Sequence, residues 1–229
     1  MSIRENLQKV EESIAKSAAV SGRKAEDVTL IAVSKTIDVE RILEAYEAGA
    51  RQLGENRVQE MMGKQPQLPP DIGWHLIGQL QKNKVKYIID KVKLVHSLCS
   101  LSVAQEMQRL LEKRDTALDC LIEINIAGEE TKSGLSAQEL PAFLEQIAPL
   151  DRVHIKGLMT VAPFAENPEE VRKYFAEMRS LFDKLSGRAG LEMKYLSMGM
   201  SGDYNVAIEE GANMVRVGTA IFGHRNYTI

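Results

Sequence analysis

The feature that most constrains this chain is an alternation. Eight short runs rich in β-branched and apolar residues are separated by longer segments with helical spacing. The runs are VTLIAVS from Val28, RQLGE from Arg51, GWHLIG from Gly73 and KLVHSL from Lys93, then LDCLIEINI from Leu118, HIKGLMTV from His154, KYLSMG from Lys194 and NMVRVG from Asn213. Between them, DVERILEAYEAG puts Val39, Ile42, Leu43 and Tyr46 on one helical face, with Asp38 as N-cap and Gly49 as stop. SLSVAQEMQRLLEKR carries Val103, Met107, Leu110 and Leu111, and NPEEVRKYFAEMRSLFDKLSG carries Val171, Phe175, Met178, Leu181 and Phe182, with Pro168 near its start and Gly187 at its end. An amphipathic helix through Ile3, Leu7, Val10, Ile14 and Ala18 comes first. This order predicts a closed parallel barrel of TIM type, (β/α)8, with an extra N-terminal helix, spanning residues 1–229 as one domain. A doubly wound open sheet is the alternative; closure is favoured because it leaves no edge strand and suits strands buried on both faces.

Composition narrows the partners. The formal net charge of −3 gives no reason to expect nucleic acid or an anionic membrane. The one basic concentration, KNKVKYIIDKVK, interleaves Lys82, Lys84, Lys86, Lys91 and Lys93 with apolar residues and reads as a solvated helix face. Two distant cysteines, Cys99 and Cys120, without CxxC spacing fit a reducing compartment. The N-terminus lacks the apolar core of a signal peptide, and no stretch approaches the roughly 18–20 apolar residues of a membrane span, so a cytoplasmic protein is expected. A glycosylation sequon at Asn226 would then go unused. His75, His96, His154 and His224 show no metal-ligand spacing, so no metal site is expected, and Glu55, Glu60, Glu129 and Glu130 form no recognisable catalytic pair.

In such a barrel, function sits at the C-terminal strand ends. The first strand ends on Lys35, a cation that is seldom buried without a partner. The last two strands end in SMGMSGD and RVGTAIFG, which place Gly199, Ser201, Gly202, Gly218 and Thr219 at strand-to-helix turns. Backbone N–H groups, hydroxyls and a helix dipole at such turns suit a phosphate, although tight turns alone also ask for glycine. A lysine facing a phosphate site either pairs with it or acts as a Schiff-base nucleophile. Partial desolvation beside another cation such as Arg216 favours the free amine. Phosphate plus reactive amine describes pyridoxal phosphate (PLP) and also a sugar-phosphate aldolase; spacing does not decide between them. Lys132, in TKSG after the fifth strand, reads as a solvated loop lysine that could also take up or hand on a ligand.

The motifs LIAVSKT, GENRVQE, WHLIGQLQKNK, INIAGEETKSGL, GLMTV, LSMGMSGD and VRVGTAIFG, in this order, resemble the pyridoxal phosphate homeostasis protein family, related to the barrel domain of alanine racemase. The resemblance runs essentially end to end. It implies PLP held as a Schiff base on Lys35. Ser201 with the backbone of Gly218 and Thr219 would hold the phosphate, Arg216 would face the pyridine nitrogen, and Asn56 and Met200 would lie beside the ring. It implies a role in PLP homeostasis, by buffering or by delivery to PLP-dependent apo-enzymes, with effects on amino-acid and keto-acid balance. The rival is a weak amino-acid racemase, which needs a proton donor on each face of the substrate carbon. Alanine racemase has a second, β-rich domain and a dimer that supplies a tyrosine. With the chain ending at Ile229 no such domain is expected here, and a monomer is the default. His75 is the conceivable second base, with packing at the barrel rim the alternative.

Overall fold

The structure is a computed structural model that describes residues 2–129, 131–188 and 191–223. The sequon at Asn226, His224 and Glu130 lie outside the described residues. All eight β-rich runs form strands: β1 (Thr29–Val33), β2 (Gln52–Glu55), β3 (Gly73–Leu76), β4 (Leu94–Leu98), β5 (Leu118–Glu123), β6 (Val153–Met159), β7 (Tyr195–Ser197) and β8 (Met214–Val217). They pair in parallel in chain order, and β1 pairs with β8 to close the barrel. The open-sheet alternative is therefore excluded.

The helices follow from local chemistry. α1 (Ile3–Val20) opens on a capping box in which Ser2 accepts from the Glu5 N–H and Glu5 accepts from the Ser2 N–H. Asp38 caps α2 (Val39–Glu47) by accepting from the Arg41 N–H at 2.8 Å. α3 (Val58–Lys64) follows β2, α5 (Leu101–Arg114) follows β4, and α6 (Leu140–Ile147) follows β5. α7 (Arg172–Leu185) begins one turn later than the pattern predicts, because Pro168–Val171 winds as a 3-10 turn. α8 (Tyr204–Glu209) and α9 (Thr219–Phe222) are short. The basic stretch corrects an expectation: only α4 (Val85–Ile88) is α-helical there, preceded by a 3-10 turn over Lys82–Lys84, and Lys93 already hydrogen-bonds β3 through its N–H. Among the described residues no helix is long and apolar enough to cross a membrane.

Alternation along the strands divides the core in two. Ile31, Leu94, Leu121, Met159 and Met214 pack together inside the barrel, whereas Ala32, Leu53, Trp74, Val95, Ile122 and Leu158 belong to the layer between strands and helices. Gly157 lies on the interior face of β6 at φ +151°, and a Cβ there would come within 1.8 Å of the Tyr195 carbonyl oxygen.

Above and below the apolar interior residues runs a polar chain. His75 Nε2 lies 2.9 Å from Gln52 Oε1, His75 Nδ1 lies 3.0 Å from His96 Nε2, and His96 Nδ1 lies 3.0 Å from Ser197 Oγ. Arg216 Nη1 donates to the same Ser197 Oγ at 2.6 Å. Because Arg216 only donates, the Ser197 hydroxyl turns its proton to His96 Nδ1; His96 then donates from Nε2 to His75, and His75 donates from Nε2 to the Gln52 carbonyl oxygen. Both imidazoles are neutral. Burial pushes the His75 pKa down to about 3 and holds that of His96 well below the usual histidine range.

Two outcomes follow. Gly157→Ala should cost about 3 kcal/mol or more in chemical denaturation, since backbone and strand pairing must move to admit one methyl group. The histidines should make folding pH-dependent. An unfolded histidine takes a proton near pH 6.5 while native His75 does not until about pH 3, so stability is present above pH 6.5 and falls as the pH drops through that window. Each such group steepens the fall by up to about 1.4 kcal/mol per pH unit. Denaturation at pH 7 and pH 5 should therefore show a smaller loss for His75→Gln than for the natural chain.

Candidate functional site

β1 delivers Lys35 to the barrel mouth. Ile31 faces inward, and residues two apart share a face, so Val33 continues that inward row while Ala32 faces the helices, and Lys35 stands in the turn just beyond the strand end. Lys35 is half-buried. Thr36 then turns at φ +64°, a left-handed conformation that a β-branched residue adopts at a cost of about 1–3 kcal/mol. Asn56 follows β2 on the same inward parity as Gln52. Its backbone is packed so closely on the segment after β3 that a Cβ at Gly78 would meet the Asn56 carbonyl oxygen at 2.4 Å.

The ends of β7 and β8 supply the other half of the mouth. Ser201 Oγ accepts from the backbone N–H of Gly218 at 3.2 Å and of Ala220 at 3.3 Å, with Thr219 between them. A hydroxyl and converging N–H groups are a donor set that fits a phosphate oxygen. α9 is a single turn, so this cradle depends on individual N–H groups rather than on the helix dipole expected from sequence. Ala220 is a contributor that sequence reasoning missed.

Arg216, on the interior face of β8, is almost fully buried. Besides Ser197 it bonds the Thr160 carbonyl oxygen through Nη2 at 2.8 Å. Burial lowers its pKa to about 10, opposed by the charges of Asp203 and Glu123, so it stays a cation at neutral pH. These bonds use two of its five N–H donors. Met200 is exposed on the turn after β7 and lines a cavity of about 410 Å³ with Val161, Ala162, Phe164 and Lys132.

Two residues depart from their sequence expectations, and a third carried none. His75 is not at the mouth or its rim. It points toward the opposite end of the barrel, where it borders a small cavity with Thr29, Lys93 and Asp119. Register places it two positions before Ile77, too deep for a base at the mouth. Lys132 is not a solvated loop lysine: Nζ donates to the Ala162 carbonyl oxygen at 3.0 Å and pairs with Glu129 at 2.9 Å. Glu123, which sequence reasoning passed over, closes β5 on the inward parity of Leu121. Its Oε1 accepts from Ser133 Oγ at 2.7 Å, and Oε2 is buried with no hydrogen-bond partner among the described residues. Burial raises its pKa, against the Ser133 hydrogen bond and the Arg216 charge. The signal for Glu123, His96 and Ser197 was a polar residue inside an otherwise mostly apolar strand run. Among the described residues no group of three or more His, Cys, Asp and Glu side chains could hold a metal ion.

The mouth thus brings together the half-buried Lys35, a phosphate-type cradle and a buried guanidinium. Known proteins share this barrel. The alanine racemase N-terminal domain family matches residues 3–226. The pyridoxal phosphate homeostasis protein of Aquifex aeolicus (strain VF5) is 46% identical over 97% of this chain and 98% of its own. The structure of PipY from Synechococcus elongatus PCC7942 with PLP bound is 37% identical and superposes with a TM-score of 0.80, covering 92% of this chain and 100% of that one. An alanine racemase from Clostridium difficile 630 shares the fold at a TM-score of 0.75 with 17% identity, covering 99% of this chain and 57% of the racemase. This chain belongs to the pyridoxal phosphate homeostasis protein family, built on the barrel of the alanine racemase N-terminal domain.

Proposed function

We propose that this chain captures pyridoxal 5′-phosphate as a Schiff base on Lys35 and serves PLP homeostasis, buffering the cofactor or delivering it to PLP-dependent apo-enzymes and so influencing amino-acid and keto-acid balance. One observation carries the proposal: Lys35 and the Ser201–Gly218–Ala220 cradle converge on one end of a closed barrel. It is supported by the family's name and by the PLP bound to PipY. In this reading Ser201, Gly218 and Thr219 hold the phosphate, Arg216 faces the pyridine nitrogen, and Asn56 and Met200 flank the ring. When bound, the cofactor supplies an aldehyde for the lysine and a ring that can accept electrons. Arg216 stays protonated and only donates, so it keeps the ring nitrogen unprotonated and the ring a weak electron sink. That suits a holder of PLP better than a strong transaminase.

A second reading, weak racemisation, is favoured by Glu123. Its buried carboxyl sits at the mouth, holds its proton more tightly than usual, and has one oxygen without a hydrogen-bond partner among the described residues. It would be the proton donor that His75 cannot be.

Delivery is tested by mixing loaded protein with a PLP-dependent apo-enzyme in the presence of a carbonyl scavenger that removes free PLP. The apo-enzyme should regain activity faster than with the same amount of free PLP; equal or slower recovery would make the chain a sink and overturn delivery. A panel of chiral amino acids should show no turnover; racemisation lost in both Lys35→Ala and Glu123→Gln would establish the second reading instead. Ser201→Ala should weaken PLP binding about tenfold or more, the scale of one hydrogen bond to a charged group.

A further inference from the structure

Behind Lys35, on the outer face of the barrel wall, lies a buried ion cluster that the proposed function does not use. Glu55 is fully buried at the end of β2, and Lys64, the last residue of α3, is nearly so. Lys64 Nζ donates to the Ser34 carbonyl oxygen at 2.7 Å, to Glu55 Oε1 at 2.8 Å and to Glu60 Oε1 at 2.6 Å. These three bonds exhaust the ammonium's donors. Ser34 Oγ donates to Glu55 at 2.7 Å, and the backbone N–H of Thr36 donates to Glu60.

The peptide unit before Lys35 is therefore gripped through its carbonyl, and the peptide unit after it through its N–H, by one cluster. The second grip falls on Thr36, the residue held in the left-handed conformation. A buried ion cluster is a poor way to gain stability, because apolar residues of similar volume serve as well or better. Here one oxygen of Glu55 has no hydrogen-bond partner among the described residues. What the cluster does supply is a fixed direction for the strand end that bears the lysine.

We infer that Lys64, with Glu55 and Glu60, is a positioning residue for Lys35: the cluster fixes the backbone on both sides of the reactive lysine and so aims its amine into the mouth. This rests on the proposed capture of PLP. Capture requires Lys35 Nζ to attack the aldehyde carbon, form the C=N bond and release the carbonyl oxygen as water. The rate of that step depends on the approach of the amine, whereas binding of the phosphate and ring does not.

The test compares two ligands on the cofactor-stripped full chain. PLP reports capture through its visible absorbance. 4′-Deoxypyridoxine phosphate, which lacks the aldehyde, reports non-covalent binding. Lys64→Met alone leaves buried carboxylates unpaired, so the informative variant is Lys64→Met with Glu55→Gln, alongside Glu60→Gln. The double variant should melt cooperatively, bind the deoxy analogue within about twofold of the natural chain, and capture PLP about tenfold to a hundredfold more slowly, the usual effect of misplacing a reacting group by about an ångström. Glu60→Gln, which keeps an acceptor for the Thr36 N–H, should fall between them. An unchanged capture rate in the folded double variant, or equal losses of capture and analogue binding, would overturn the inference. A natural chain that captures no PLP on Lys35 would instead overturn the proposed function itself.

Discussion

Pairing of β1 with β8 is the interaction on which the rest depends. It sets Ile31 opposite Arg216 and Ala32 opposite Val217, so the strand that ends in Lys35 runs beside the strand that ends in the Gly218 turn. Closure also leaves each strand residue only two environments, the barrel interior or the helix layer. The chemistry divides along that line. Glu123, Ser197 and Arg216 have inward parity, while Glu55 faces outward and, with Ser34, meets Lys64. One strand end thus carries Lys35 on one side and a buried ion cluster on the other.

The barrel interior departs from the branched apolar filling usual for this architecture. A directed chain of hydrogen bonds crosses it from Arg216 to Gln52. A buried cation is tolerated here because Ser197 and the Thr160 carbonyl oxygen accept from it directly, and the charges of Asp203 and Glu123 lie within electrostatic range. Neutral imidazoles continue the chain without adding charge. The result is a guanidinium fixed in place at the mouth, where mobility would let its charge be screened by water.

Much of this was legible in the sequence. Eight β-rich runs, the Asp38 cap and the position of Lys35 at a strand end follow from local pattern, and closure follows from the count. What was not legible depends on register across strands. His75 reads as either a conceivable base or a histidine packed at the rim until pairing with β2 and β4 sets its depth. Lys132 reads as solvated until the carbonyl of Ala162, thirty residues on, is seen to accept from it. Glu55 and Glu60 read as unconnected acids until α3 brings Lys64 back onto β1. Helix length was misjudged in the basic stretch, where only Val85–Ile88 is α-helical, and the cradle at α9, a single turn, works through single N–H groups.

The central claim is that the chain's reactive group toward PLP is Lys35. Reduction of PLP-treated protein with borohydride, followed by peptide mapping in a mass spectrometer, tests it most directly. The account predicts one dominant pyridoxyl adduct, on the peptide that carries Lys35, and its disappearance in Lys35→Ala. An adduct distributed over surface lysines, or one that persists in Lys35→Ala, would contradict it.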